Sequence, residues 1–260
     1  MRLVYPVIMV ALLCLSCQQP PTAESCKRFL PKRQKNPAAR VVVNKQRPSS
    51  KTTQKRKVVL SDRWIKKKWI PFGPKRIQWS LEYLHIHVDE KATSILIDPK
   101  VIVVHWTASP DLASSWKLFA PARIPSARRY VRKFGRVNVS AHFLVDTDGT
   151  VYRMVPERYL ARHVIGLNQV SLGIENVGGV KGKPLHDAQL EANAKLIRYL
   201  ASKYNIQYLI GHYEYRKLER TPLFREKIKS YRTGKIDPGR GFMKRLRQKL
   251  KDLHLQGPPK

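Results

Sequence analysis

Short apolar runs bounded by turn residues recur through the middle of the chain and predict strands. Val101–Val104 is a continuous β-branched run that ends in His105, which predicts a buried strand with a histidine at its carboxyl end. Two further runs, 141–146 and 150–155, flank Asp148-Gly149. This dipeptide favours a tight hairpin turn because both central residues can adopt positive φ. The runs therefore predict a buried strand followed by a hairpin.

The second half of this region alternates strand and helix patterns. Ser171–Val177 has the pattern of a strand, with Glu175 where an apolar residue is expected. Between residues 187 and 204, apolar residues recur at helical spacing, and Asp187 is a suitable N-cap. Residues 206–210 predict a short strand that leads into a histidine. This alternation predicts an α/β domain with a single mixed β-sheet flanked by helices.

The charge of the chain narrows the possible functions. Its 260 residues include 51 Lys+Arg and 18 Asp+Glu, a formal net charge of +33. This excess excludes an ordinary near-neutral cytosolic enzyme and favours binding to nucleic acid, anionic lipid headgroups or an anionic wall polymer. Many of the basic residues lie between residues 27 and 76, separated by Pro, Gln, Asn, Ser and Thr. Such a composition predicts an extended, solvated tether.

The first residues have the pattern of an export signal. Arg2 precedes an apolar run of about a dozen residues, which is shorter than the ~20 residues of a membrane-spanning helix. The junction 13–17, Leu-Cys-Leu-Ser-Cys, resembles a bacterial lipoprotein signal, in which Cys17 becomes the lipidated first residue; soluble secretion is the alternative. Cys26 would then remain alone, without an intrachain disulfide partner. We therefore expect a cell-envelope protein, anchored in a membrane and facing the periplasm or wall.

These patterns divide the chain into four parts: a signal peptide at 1–16, a basic tether at 17–78, a folded domain at 79–250 and a tail at 251–260. Within the tether, Arg63–Ile70 interleaves two Trp and two Ile with basic residues. This segment could cap the domain with a hydrophobic flap, contact a membrane or wall, or stack on bases. An exported chain rarely meets nucleic acid, and no nucleic-acid fold signature is present, so we expect no nucleic-acid partner.

Three metal-competent side chains, His105, His212 and Asp237, follow predicted strands or turns. A catalytic zinc site needs three protein ligands and leaves the fourth position for a water molecule, whose pKa the ion lowers to about 7. Each residue alone is weak evidence, because a histidine after a strand is commonly structural and Asp-Pro-Gly is first of all a turn. The chain has no short metal motif such as His-Glu-x-x-His.

The order of five short segments is more specific than any one of them. The segments are His-Trp-Thr-Ala at 105–108, Ala-His-Phe at 141–143 with the hairpin after it, Ser-Leu-Gly-Ile-Glu at 171–175, Gly-His-Tyr-Glu at 211–214 and Lys-Ile-Asp-Pro-Gly at 235–239. Together they resemble the zinc-dependent N-acetylmuramoyl-L-alanine amidases, whose fold is shared with peptidoglycan recognition proteins. The resemblance covers roughly residues 80–250 and implies that fold.

The resemblance also implies roles for individual residues. It implies zinc ligands at His105, His212 and Asp237, and catalytic assistance from Glu175 and Lys235. Glu175 would act as general base and then general acid, while the charge of Lys235 would stabilise the oxyanion. The alternatives are a strand carboxylate paired with a basic residue for Glu175, and a solvated turn residue for Lys235.

Three further residues are weaker candidates for contacts with the glycan or stem peptide: His142, His163 and Asn168. A buried, hydrogen-bonded structural role is an equal alternative for His142. The chain departs from the family where Arg162 precedes His163, because the family often has Trp-His-Ala-Gly there. The segment between His212 and Asp237 is longer than in compact cytosolic members, and we expect it to edge the cleft.

The sequence therefore predicts an exported, lipid-anchored, monomeric zinc amidase that cuts the amide bond between N-acetylmuramic acid and L-alanine in peptidoglycan or muropeptides. The basic tether would hold it near anionic membrane or wall polymers. One alternative is a binding module on the same fold that recognises muropeptides without cleaving them. Another is a basic surface adhesin in which the tether is the functional part.

Overall fold

A computed structural model describes residues 59–260 of the chain. The predicted signal peptide, the lipidation site Cys17 and the tether as far as residue 58 lie outside the described residues. Within 59–260, no helix is both long enough and apolar enough to cross a membrane.

A six-stranded mixed sheet lies at the centre of the domain. Its strands are β1 (Lys66–Lys67), β2 (Val101–Trp106), β3 (Phe143–Val145), β4 (Val151–Arg153), β5 (Ser171–Asn176) and β6 (Tyr208–Gly211). The strand order is β1-β4-β3-β5-β2-β6, in which only β3 and β4 pair antiparallel. Residues 101–104 of β2 are all fully buried, as their continuous apolar run predicts for a strand covered on both faces.

Helices accompany the sheet and confirm the predicted α/β class. They are α1 (Pro74–His87), α2 (Leu112–Phe119), α3 (Arg129–Arg132), α4 (Asp187–Lys203) and α5 (Arg240–Lys249), with short 3-10 helices at His212–Leu218 and Lys251–Leu253. The longest, α4, buries Leu190, Ala194 and Ile197, which share one helical face. Its N-cap is His186, one residue before the predicted Asp187, and the His186 N–H donates to Gln189 Oε1 at 2.9 Å.

The predicted hairpin is present, but its turn differs from the one expected. The Asp146 N–H donates to the Thr150 carbonyl, and only Gly149 has a positive φ, +84°. A Cβ at this position would lie 2.8 Å from the Ala188 carbonyl oxygen. Glycine is therefore required both by the backbone angle and by the close approach of α4.

The folded domain begins before the predicted boundary at residue 79. Ile65, Ile70 and Phe72 belong to the buried core, and Ile70 is only 3% exposed. The backbone of this segment pairs with β4 and its neighbours, since the Ile70 N–H donates to the Met154 carbonyl. Part of the predicted tether is therefore the hydrophobic flap considered for residues 63–70. Because lysines 66–68 lie between the buried residues Ile65 and Ile70, their charge led to the prediction of a solvated tether where the structure has an edge strand.

An ion-pair network holds the start of this flap against the domain. Arg153 donates to Asp62 at 3.0 Å and to the buried Glu157 at 2.7 Å. Glu157 also accepts from Lys203 and Tyr204, both at 2.7 Å. Because each carboxylate of this network accepts a hydrogen bond from a basic side chain, Arg153 and Glu157 can remain charged although both are mostly buried.

The C-terminal boundary also lies later than residue 250. The Leu209 N–H donates to the Gln256 carbonyl, and the Gln256 N–H donates to the Gln207 carbonyl, both at 2.9 Å. The predicted tail therefore continues the edge of the sheet beside β6. Backbone pairing of this kind depends little on side chains, which is why the sequence pattern did not indicate it.

Replacement of Ile70 by alanine tests whether the flap is part of the core. Because a buried Ile-to-Ala change removes packing and leaves a cavity, we expect Ile70→Ala to lower the free energy of unfolding by about 2–5 kcal/mol. The exposed neighbour Lys67→Ala should stay within about 0.5 kcal/mol of the wild type. Urea unfolding of the two variants measures this difference, and equal values for both would contradict the packing of the flap.

Candidate metal centre and active site

Three parallel strands bring the predicted site residues to one edge of the sheet. β5, β2 and β6 are neighbours, so their carboxyl ends lie together. His105 lies near the end of β2, Glu175 is its register partner on β5, and His212 directly follows β6. Asp237 arrives from the turn before α5, which is held to the strand end by a hydrogen bond from the Tyr213 N–H to the Asp237 carbonyl. Residues far apart in sequence therefore meet.

His105, His212 and Asp237 form a compact triangle of ligand atoms. The two Nδ1 atoms of the histidines are 2.9 Å apart, and Asp237 Oδ2 lies 3.0 Å from His212 Nδ1 and 3.3 Å from His105 Nδ1. All three residues are buried, and His105 is only 1% exposed. The three residues that the family resemblance implies as zinc ligands therefore lie together in the structure.

The donor set and its spacing fit a zinc ion. With metal–ligand bonds of about 2.0–2.1 Å, the ligands of a tetrahedral zinc lie about 3.3 Å apart, close to the edges of this triangle. Burial, followed by the proximity of His105, lowers the pKa of His212 to about 4, so this imidazole is neutral at neutral pH. Burial alone would raise the pKa of Asp237, but hydrogen bonds to the two histidines hold it well below its usual range. A neutral imidazole and a carboxylate are the protonation states that a metal requires.

Glu175 lies in the same cleft with an unused oxygen. It is 9% exposed, and within residues 59–260 its Oε2 has no hydrogen-bond partner. Burial and the negative charge of Asp237 raise the pKa of Glu175 well above its ordinary value, while Arg128 and Lys235 act in the opposite direction. The carboxyl group is therefore not consumed by a structural ion pair and is available for proton transfer.

The cleft has a volume of about 260 Å³ and is bordered by basic and aromatic residues from two loops. Lys235 is exposed at its border, which also includes His105, His212 and Asp237. Tyr231 and Thr233, from the long segment between His212 and Asp237, also line it, which confirms that this segment edges the cleft. Arg128 also lines the cleft and was missed in the sequence. The available signal was a run from residue 112 to residue 145 that contains basic residues and no acidic one.

His142 does not line the cleft, so its prediction as a substrate contact is wrong. It is fully buried; its Nδ1 accepts from the Gly173 N–H at 3.0 Å, and its Nε2 lies 2.9 Å from the Tyr159 carbonyl oxygen. Burial lowers its pKa to about 4. Both ring nitrogens are hydrogen-bonded to backbone groups, which agrees with the buried structural role considered as the alternative for this residue.

His163 and Asn168 do border the cleft, but their polar atoms contact the protein. Asn168 Oδ1 accepts from the backbone N–H groups of His163 and Val164, and Asn168 Nδ2 donates to the Tyr83 hydroxyl. His163 Nδ1 lies 3.0 Å from His105 Nε2. Asn168 therefore shapes the loop that carries His163, rather than presenting its amide to a ligand.

Arg162 stands where the family resemblance led us to expect a tryptophan, and it lines the cleft from a buried position. Its guanidinium donates to the carbonyl oxygens of Val131 and Val137 at 2.8 Å and to the Tyr231 hydroxyl at 3.0 Å. Tyr231 stacks on Phe134 with ring centroids 4.1 Å apart. Arg162 thus ties together the two loops that flank the cleft.

Comparison with known proteins identifies the family. The family model described as N-acetylmuramoyl-L-alanine amidase (Amidase_2) matches residues 96–240, more than half of the chain. The chain belongs to this family. The match contains the three proposed ligands together with Glu175 and Lys235, and it stops short of the flap and the C-terminal tail.

Individual relatives of the amidase family cover smaller parts of the chain. Peptidoglycan recognition protein 3 of Mus musculus is 37% identical over 81 residues, which is 29% of this chain and 22% of that protein. The endolysin of Escherichia phage T7 is 32% identical over 92 residues, 34% of this chain and 61% of the endolysin. The chain therefore spans less than two thirds of either relative.

The chain is also similar to solved structures. N-acetylmuramoyl-L-alanine amidase LysC from Clostridium intestinale is 25% identical, with 60% of this chain and 87% of that chain covered and a TM-score of 0.41.

The raised pKa of Glu175 predicts a dependence of stability on pH. Between its ordinary pKa of about 4.5 and the higher value in the folded state, the folded protein keeps a proton that the unfolded chain releases, so stability falls as pH rises. In metal-free protein, Glu175→Gln should therefore be more stable than the wild type at pH 8, and the difference should vanish near pH 4. Thermal unfolding across this range measures it; a constant difference would show that Glu175 is not held protonated by burial.

Proposed function

We propose that this amidase-family protein hydrolyses the amide bond between N-acetylmuramic acid and L-alanine in peptidoglycan, with zinc held by His105, His212 and Asp237. The observation that supports this most directly is the ligand triangle beside Glu175, whose Oε2 is unpaired within the described residues. One cleft thus combines a site for an electrophilic metal with a free carboxyl group, the two functions that amide hydrolysis requires.

Each residue has a defined task in the reaction. Zinc at the triangle would polarise the amide carbonyl and lower the pKa of a water molecule. Glu175 accepts the proton of the attacking water and delivers it to the leaving nitrogen, and its raised pKa suits transfer in both directions. Lys235 places a positive charge at the cleft border, where it stabilises the developing oxyanion. Arg128, which also lines the cleft, offers a second cation near Glu175.

A non-catalytic muropeptide-binding module is the alternative, and two of the relatives carry the name peptidoglycan recognition protein. A binding module needs a complementary cleft but no proton acceptor beside a metal site. A buried carboxyl group without a partner costs folding free energy, so its presence favours the enzyme.

Mass spectrometry of muropeptides incubated with the full chain and zinc tests the activity. We expect free stem peptide from the wild type, none after removal of the metal by a chelator, and none from His105→Ala. Glu175→Gln should retain zinc but lose about 10²–10⁴-fold in rate, because it removes general acid–base catalysis.

Two outcomes would contradict the assignment. If His105→Ala released as much stem peptide as the wild type, the metal centre would not carry the reaction. If the wild type bound muropeptide and zinc without releasing stem peptide, the protein would be a binding module. Lys67→Ala is the matched surface control, since this exposed lysine lies on β1, away from the cleft.

We further propose that the protein acts as a monomer held in the cell envelope near anionic polymers. The ligand triangle and Glu175 come from one chain, so the site is complete without a second copy. Residues 59–260 carry 38 Lys+Arg and 17 Asp+Glu, a net charge of +21 out of the total of +33. Attraction to a polyanion therefore depends on the folded domain as well as on the basic tether before it.

Lipidation at Cys17 would provide the membrane anchor, and the sequence pattern at residues 13–17 supports it. Because acylation needs the cysteine thiol, we expect radiolabelled palmitate to be incorporated into the wild type in a bacterial host and to be lost completely in Cys17→Ser. Cys26→Ser is the matched control and should label like the wild type. Equal labelling of Cys17→Ser and the wild type would contradict an anchor at this position.

A further inference from the structure

We propose that His163 is a positioning residue of the metal centre rather than a contact for the substrate. The inference rests on the proposed zinc site, which it deepens: His163 would fix the ring orientation and the tautomer of the ligand His105. Three observations support it, namely the hydrogen bonds around the two rings, the space that β5 leaves for His163, and the way its loop is held.

The hydrogen bonds allow one proton arrangement when a cation occupies the triangle. His105 Nδ1 faces His212 and Asp237, so its lone pair is used there and the ring proton must reside on Nε2. His105 Nε2 lies 3.0 Å from His163 Nδ1, which must then accept. The proton of His163 consequently resides on its own Nε2, 3.2 Å from Ser171 Oγ. His105, His163 and Ser171 thus form a chain that runs inward from the metal site.

Strand β5 is shaped to hold His163 in this place. Ser171, Gly173 and Glu175 alternate along the strand and therefore point to the same face. A Cβ at Gly173 would lie 2.7 Å from Cγ of the His163 ring, so only glycine leaves room for the imidazole. One face of β5 therefore supplies the end of the hydrogen-bond chain, the space for the ring and the proposed general base.

The loop before β5 fixes the backbone of His163. Asn168 Oδ1 accepts from the N–H groups of His163 and Val164 at 2.9 Å each, and this amide is itself held by Tyr83. The two rings of His105 and His163 are nearly perpendicular, at 89°, with centroids 5.1 Å apart. This geometry directs the edge of His105 at the nitrogen of His163, which suits a hydrogen bond rather than stacking.

A zinc-competition assay on the full chain tests the role without any substrate. Loss of an outer hydrogen-bond partner of a metal-bound histidine commonly costs about 10–100-fold in metal affinity, so we expect a loss of this size in His163→Leu. His163→Asn, whose Oδ1 can accept from His105 Nε2, should stay within about threefold of the wild type. His85→Leu is the matched control, because His85 is half-buried, bonds one backbone carbonyl and does not line the cleft.

The proposal is overturned if His163→Leu binds zinc within threefold of the wild type, and in particular if it only raises KM for muropeptide, as a substrate contact would. A second measurement uses the wild type and so does not depend on the folding of a variant. Nitrogen-15 NMR of the zinc-loaded chain should show His105 and His163 both protonated at Nε2. A proton at Nδ1 of His163 would overturn the proposal.

These measurements also separate this inference from the proposed function. A wild type that binds zinc with the expected tautomers but does not hydrolyse muropeptides would refute the amidase activity and support the positioning role. Conversely, an active enzyme whose zinc affinity is unaffected in His163→Leu would support the activity and refute the role of His163.

Discussion

The close approach of three electron-rich atoms, His105 Nδ1, His212 Nδ1 and Asp237 Oδ2, is the constraint around which the domain is arranged. Atoms with lone pairs directed at one point repel one another unless a proton or a cation lies between them. Holding them within 3.3 Å therefore requires a rigid support. The parallel strands β2 and β6 and the turn before α5 provide it, because their backbones are fixed by the ladder and the buried core.

The same constraint explains the surroundings of the triangle. His163 Nδ1 contacts Nε2 of His105, the ring nitrogen that faces away from the triangle. Glu175 lies beside His105 on β5, and one of its carboxylate oxygens is unpaired among the described residues. In the cleft wall, Arg162 donates to the Val137 carbonyl and to the Tyr231 hydroxyl, and Tyr231 stacks on Phe134. His163, Asn168 and both terminal nitrogens of Arg162 are thus bonded to protein, whereas Glu175, the group proposed to move protons, keeps an oxygen without a partner among residues 59–260. This division is expected where preorganisation, rather than flexibility, lowers the barrier of the reaction.

The charge of the protein is distributed more widely than its composition first indicated. Residues 1–58 contribute a net charge of +12, and the remaining +21 belongs to residues 59–260. The lysines of residues 66–68 illustrate the difference, because they accompany an edge strand whose neighbours Ile65 and Ile70 are buried. A basic segment can therefore belong to the fold when apolar residues occur beside the charged ones, since long basic side chains reach solvent from a packed backbone.

The sequence by itself determined the α/β class, the strands that begin at residues 101 and 171, the long helix and, through the family resemblance, the candidate group of His105, His212 and Asp237. It could do so because apolar periodicity and the order of motifs are local properties of the chain. Only the tertiary structure decided that His142 is buried against the backbone, that His163 lies against His105, and that residues 63–78 and 251–256 pack onto the domain. These features depend on which strands are neighbours and on the register between them. Contacts between residues far apart in the sequence determine both.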